Sequence, residues 1–193
     1  MEGDAALVDR LRSGDEAAFV ELVRTYQPRL LRVAESTVGS RSVAQEVVQD
    51  TWLAVVRGVD RFEGRSSLKT WLFRIMLNRA RSAGTREQRA GRPDDTVEER
   101  FDASGAWATP PEPWADRADD RIVAEDMSRK VHALLPQLAE SQRQVVLLRD
   151  VEGLSPREVS ELLGVTEGNQ RVLLHRGRTR LRELLAAEMG AAS

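Results

Sequence analysis

The chain of 193 residues has no cysteine. That excludes disulfides, thiol redox chemistry and cysteine-ligated zinc. Histidine occurs only at His132 and His175, so no metal site is expected, and no motif calls for a cofactor. Lysine is nearly missing, with two residues against 27 arginines. A GC-rich genome, which favours arginine codons, is the simplest source of that bias, although arginine also suits phosphate and base-edge contacts better than lysine. Residues 1–20 carry acids and no long apolar run, so neither a signal peptide nor a membrane span is expected. No insertion into a membrane follows, and the expected location is the cytoplasm. Period-two apolar runs bounded by turn residues, the mark of strands, are missing as well.

What remains is helical. Apolar residues make up 41% of the chain, enough for real cores. The pattern predicts an all-α fold of two small helical domains joined by an extended acidic linker, with boundaries at 1–86, 87–120 and 121–193. In the first domain Phe19, Leu22, Val23 and Tyr26 fall at helical spacing, Pro28 opens a second stretch and Gly39 ends it. Ser42 and Gln45 form an S-x-x-Q capping box ahead of Val43, Val47, Trp52, Val55 and Val56. A polar loop, "DRFEGRSS", leads into "LKTWLFRIMLNRARS", whose buried stripe is Leu68, Leu72, Ile75 and Met76. The segment from Gly91 to Arg121 holds nine acids against four arginines, with Pro110, Pro111 and Pro113 close together, a composition that favours an extended chain. The overall charge of −2 therefore hides an uneven distribution.

The second domain is expected to open with two helices, the first ending near Pro136. Ser155, Pro156 and Glu158 then supply an N-cap, a proline at the first helical position and an acid at the third. Gly164 can take the positive φ of a corner, and Thr166 caps the helix that follows. On that last helix Leu174, Gly177, Leu181 and Leu184 share an inward face, while Arg171, His175, Arg178 and Arg182 form a cationic one. A helix that enters the DNA major groove needs this division between anchor and reader; a solvated basic face is the plainer alternative.

With both blocks read, the chain resembles a bacterial sigma factor of the extracytoplasmic-function group. The resemblance is carried by "VAQEVVQDTWL", "RFEGRSSLKTWLFRIMLN" and the helix-turn-helix, in that order. It implies partners: core RNA polymerase, through its β′ clamp helices and β flap, promoter DNA, and an anti-sigma factor. It implies no catalysis by the chain itself. By the same likeness Glu46, Gln49 and Asp50 would face the polymerase. Arg65, Ser66, Lys69, Trp71, Arg74 and Asn78 would meet the nontemplate strand of the −10 element. Arg157, Arg171, Val172, His175, Arg176 and Arg178 would meet the −35 duplex. Gln45 stands where the family commonly has an acid, and Asn169 and Gln170 where it has a Thr-Val pair. Val172 and Leu173 depart from the common pattern too, and these changes on the last helix leave the −35 sequence open; Ser82 stands where an aspartate is frequent.

Several residues admit two readings. Trp71 and Phe73 adjoin the buried stripe, so core packing competes with base stacking; Trp52 reads as core. The linker acids Asp94, Asp95, Glu98, Glu99 and Asp102 either imitate a nucleic-acid backbone or merely solvate a spacer. Trp107 and Trp114 in "GAWATPPEPW" suggest docking on a partner or on one of the helical domains. The competing functions are a stand-alone helix-turn-helix regulator, which leaves the first block unexplained, and a DNA-processing enzyme, for which no nucleophile or metal-ligand motif is present.

Overall fold

The computed structural model describes residues 2–88 and 130–191. Every regular element among the described residues is helical. The N-terminal group comprises α1 (Glu2–Arg12), α2 (Glu16–Val38), α3 (Arg41–Gly58), a 3-10 turn at Val59–Arg61 and α4 (Leu68–Gln88). Helices α2, α3 and α4 pack on one another around Leu22, Leu30, Val33, Val47, Val48, Val55, Leu68, Leu72, Phe73 and Met76, all buried. Trp52 belongs to this core, 8% exposed. Its ring meets Phe19 edge-on with centroids 6.0 Å apart, and its indole N–H donates to Gln27 Oε1 at 2.8 Å. Burying an indole with its N–H satisfied keeps the apolar gain without a desolvation penalty.

Two local expectations are corrected. Pro28 does not divide the second segment: α2 runs through it without interruption. The proline is exposed, while Leu22, Leu30, Val33 and Ala34 on the opposite side form one buried stripe across it. Packing of that stripe outweighs the lost hydrogen bond. The capping box at Ser42 and Gln45 does not form either. Gly39, at φ 70°, closes α2 and passes the chain to an extended Ser40, so α3 starts at Arg41 with Ser40 as its N-cap. Ser42 then lies inside the first turn, its hydroxyl 3.0 Å from that of Ser40.

In the C-terminal group residues 130–134 are helical and run into a 3-10 turn at Leu135–Gln137. Next come α5 (Glu140–Val146), a π-helical turn at Leu147–Val151, α6 (Pro156–Leu163) and α7 (Glu167–Ala191). The capping box at α6 is present as expected: Ser155 Oγ accepts from Glu158 N–H and Glu158 accepts from Ser155 N–H. Gly164 takes the corner at φ 71°. Helix α7 lies on α5, anchored by buried Leu174 and Leu181. The acidic segment, with its five named acids and both its tryptophans, falls within 89–129, outside the described residues.

The two groups touch through α2 with α5 and α4 with α6, and their buried apolar residues form one continuous cluster. At this junction Arg143 donates to the Ser36 carbonyl at 3.0 Å. Glu152, 2% exposed, is paired with Arg29 of α2 at 3.0 Å.

Candidate nucleic-acid interface

Helix α7 starts where Thr166 Oγ1 accepts the Asn169 N–H at 3.1 Å. Its inward side is fixed by Leu174, Leu181 and a fully buried Gln170. On the outward side Arg171 is 73% exposed, held loosely by Glu167 at 3.7 Å. Val172, His175 and Arg176 are half-buried, with His175 Nδ1 lying 3.2 Å from Thr179 Oγ1. Arg157 projects from α6 at the corner, 82% exposed, with Glu161 at 2.9 Å. These side chains share one end of the helix pair. Arg178 differs from them: its guanidinium is bidentate to Asp150, at 2.9 and 2.6 Å. That pairing holds it above its already high proton affinity and ties α7 to the π turn. A bidentate pair fixes geometry as well as charge, so Arg178 holds α7 in place against the π turn.

The second region is built on α4. Ser67 Oγ accepts the Thr70 N–H at 3.1 Å, and Asp4 reaches over from α1 to accept the Leu68 N–H at 3.0 Å. The helix start is thus capped from two sides. In the loop before it Arg65 is 84% exposed beside Glu63 at 2.9 Å, and Ser66 is half-buried. Trp71 is half-buried against Phe62, with centroids 5.1 Å apart. Phe73 is fully buried, which decides between its two readings in favour of the core. Arg74, Asn78 and Arg81 form a row on the outer side, with Arg81 Nη1 3.5 Å from Asn78 Oδ1.

Arg74 and Arg81 of that row, with Lys69 and Thr70 before it, donate to the other group of helices. Lys69 Nζ donates to the Glu152 carbonyl at 2.7 Å, Thr70 Oγ1 to Glu158 at 2.5 Å and Arg74 to Glu161 at 3.3 Å, while Arg81 donates to the Leu162 carbonyl. Burial pushes the Glu158 carboxyl up, but hydrogen bonds from Thr70 and Ser155 together with the charge of Lys69 outweigh it and hold the group below its ordinary 4.5.

A third surface lies on α3. Glu46, Gln49 and Asp50 are exposed along one face, and Leu53, 51% exposed, continues it. Arg79 of α4 approaches Asp50 at 3.7 Å. Glu46, Asp50 and Arg79, together with Val43, Val47, Ser82 and Ala83, line a hollow of about 230 Å³. Sequence reasoning did not single out Thr70, Arg79, Asp150, Glu152, Glu158 or Glu161 for these surfaces. Their roles come from contacts across long stretches of chain, and only Glu158 carried a signal of its own, as a helix cap.

Residues 22–90 match the family profile of Sigma-70 region 2, and residues 128–181 that of Sigma-70, region 4. The ECF RNA polymerase sigma-E factor of Haemophilus influenzae is 30% identical over 175 residues, 91% of each chain. The RNA polymerase sigma-H factor of Pseudomonas aeruginosa is 31% identical over 178 residues, 92% of this chain and 91% of that relative. Two solved complexes are similar in fold. The sigma factor RpoE bound to the anti-sigma factor NepR from Bartonella quintana has a TM-score of 0.60 at 26% identity, covering 87% of this chain and 96% of that one. CnrH in complex with the cytosolic domain of CnrY has a TM-score of 0.59 at 25% identity, covering 95% and 97%.

Proposed function

Because this chain belongs to the extracytoplasmic-function group of sigma-70 family sigma factors, we propose that it binds core RNA polymerase, directs it to a specific set of promoters and helps melt their −10 region. The polymerase makes every phosphodiester bond, and the chain contributes recognition and strand capture. The mixed stripe of Glu46, Gln49, Asp50 and Leu53 suits the β′ clamp helices, since acids beside an exposed leucine offer both steering charge and an apolar anchor. Arg157, Arg171, Val172, His175 and Arg176 meet the −35 duplex, with Arg178 holding their helix. Arginine and histidine reach phosphates and guanine edges, and Val172 can contact a thymine methyl. The second domain also meets the β flap.

Melting costs a few kcal/mol per base drawn from the stack. Cations along the backbone and pockets for extruded bases offset that cost. Arg65 and Ser66 in the loop, with Lys69, Arg74 and Asn78 on α4, supply donors for this purpose, and the half-exposed Trp71 offers a ring edge. An anti-sigma factor would be the antagonist. The two similar solved complexes give that partner its precedent.

The observation that carries this reading is the division of α7: an anchor of Leu174, Gly177 and Leu181 on one side and Arg171, His175 and Arg176 on the other. Run-off transcription with core polymerase on a promoter library, with and without the chain, tests it. Chain-dependent transcripts from a subset of promoters are expected; silence at every promoter would remove the proposal. A stand-alone regulator would instead bind duplex DNA tightly by itself, and it leaves the α3 stripe without a task.

A further inference from the structure

Helix α1 precedes the segment that matches the Sigma-70 region 2 profile, yet it holds both ends of the loop that leads into α4. Asp4 Oδ2 accepts the Leu68 N–H at 3.0 Å across 64 residues of chain, and Arg12 Nη2 donates to the Phe62 carbonyl at 2.5 Å across 50. Between these two points lie Arg65 and Ser66, and Lys69 follows directly. We propose that α1 is a brace for strand capture: Asp4 and Arg12 are positioning residues that fix the spacing and aim of the 62–68 loop, and through it set how well the −10 bases are told apart. This deepens the proposed function and rests on that loop meeting the nontemplate strand.

The loop has little to hold it from within. Glu63, Gly64 and Arg65 are exposed, and Gly64 turns through the left-handed region at φ 70°. Ser66 Oγ reaches only the neighbouring Ser67 carbonyl, at 3.4 Å. Leu68 is fully buried, and its N–H is one of the free donors of a helix start. A carboxylate at that point gains from the helix dipole as well. At the other end the Phe62 ring is buried and lies 5.1 Å from that of Trp71, so a shift of the Phe62 backbone moves the surface on which Trp71 rests. Arg12 is steadied by Asp9 at 3.4 Å. Val8, 3% exposed, seats α1 on the core, so the brace is anchored to the bundle rather than to the loop. Loops that carry function take their precision from a rigid scaffold, and a site discriminates only where supporting contacts hold it to a fraction of an ångström.

The test uses the full-length chain in holoenzyme with core polymerase. Its template is a promoter recovered from the run-off library, compared with the same promoter carrying one changed base in its −10 element. Asp4→Ala removes the acceptor and Arg12→Ala the donor. Each is expected to lower the ratio of transcript from the intact to the altered promoter about tenfold, the scale of one lost hydrogen bond to a charged group. Asp4→Asn keeps an acceptor oxygen and Arg12→Lys a donor, and both are expected to restore most of the ratio. Val33→Ala removes buried volume from the same bundle and neither of the two bonds. It is expected to lower Tm at least as far as the other variants and to keep the parent's ratio. Affinity for core polymerase is expected to stay at the parent's value throughout, because the α3 face is untouched.

An unchanged ratio in both alanine variants would overturn the proposal. So would an equal loss in Val33→Ala, which would reduce the effect to bundle stability, or a loss that Asp4→Asn and Arg12→Lys fail to repair. Circular dichroism melts establish that each variant is folded. Arg12→Ala trims a partly exposed side chain and keeps the test open should Asp4→Ala not fold. A parent holoenzyme that starts no transcript at any promoter would count against the sigma-factor reading and the brace with it, whereas an active parent whose alanine variants discriminate as it does would count against the brace alone.

Discussion

At the scale of single residues, Gly177 shows how closely α7 is fitted to its neighbour. A glycine inside a helix normally costs roughly 0.5–1 kcal/mol relative to alanine, so Gly177→Ala would usually stabilise. Here the added Cβ would lie 2.7 Å from Val146 Cγ2 and 3.4 Å from the Gln142 carbonyl. Overpacking of this kind typically costs about 1–3 kcal/mol. A thermal melt of Gly177→Ala is therefore expected to show a lower Tm, and a Tm equal to or above the parent's would mean that α5 and α7 can separate freely. Spacing alone placed Gly177 with Leu174 and Leu181 on the inward face, which the structure bears out. The need for a missing side chain there was not legible, because the approach of Val146 depends on how α5 crosses α7. Phe73 teaches the same lesson: its neighbours in sequence left it between core and base stacking, and only the packed bundle decided.

At the scale of elements, local chemistry was the most readable part. The corner between α6 and α7 follows from Ser155, Pro156, Glu158, Gly164 and Thr166, each acting within a few residues of itself. The errors came where a local signal met a non-local one. Pro28 carries the mark of a break, yet the stripe of Leu22, Leu30 and Val33 held α2 together. Ser42 has a cap's spacing, yet the turn at Gly39 had already set the start of α3. The start of α2 offers a test of pH dependence. Asp15 accepts from Ala18 N–H at 3.1 Å and from Arg10 Nε at 2.8 Å. Those bonds, that from Arg10 foremost, hold its carboxyl below the ordinary value of 3.8. A depressed folded-state value means that the ionised group contributes stability above its unfolded-state value, and that this contribution is lost as pH falls through the folded one. Asn caps as well as Asp, so Asp15→Asn isolates the charge. Its Tm is expected to lie below the parent's at neutral pH, with the gap closing as the pH falls through the depressed folded-state value of Asp15. A gap independent of pH would place the contribution in the cap rather than in the pair with Arg10.

At the scale of the whole molecule the chain's near-neutral total, −2, is the sum of surfaces with different tasks. Two helical domains were legible because each carries its own apolar periodicity. Their mutual contact was not, since Arg29 with Glu152 and Arg143 with Ser36 bridge more than a hundred residues and no spacing rule reaches that far. The α3 stripe is a surface on which charge should govern association. Glu46 and Asp50 are exposed, and only Asp50 meets a cation in the hollow, Arg79 at 3.7 Å, so changing both should hardly disturb folding. In the proposed assembly they steer the chain toward a basic partner surface, and rim charges act mainly on association rate and on its salt dependence. Replacing both with arginine is therefore expected to weaken binding to core polymerase about tenfold, mostly by slowing association. The loss should be largest at low salt, where screening is least. Binding of the free chain to a duplex would not fall in parallel, because α7 is untouched and added arginines favour DNA in general. Stopped-flow association at low and high salt checks this. If the double variant joined the polymerase at the parent's rate at every salt concentration, the α3 face would lie outside the contact, and the acids there would be ordinary solvated surface.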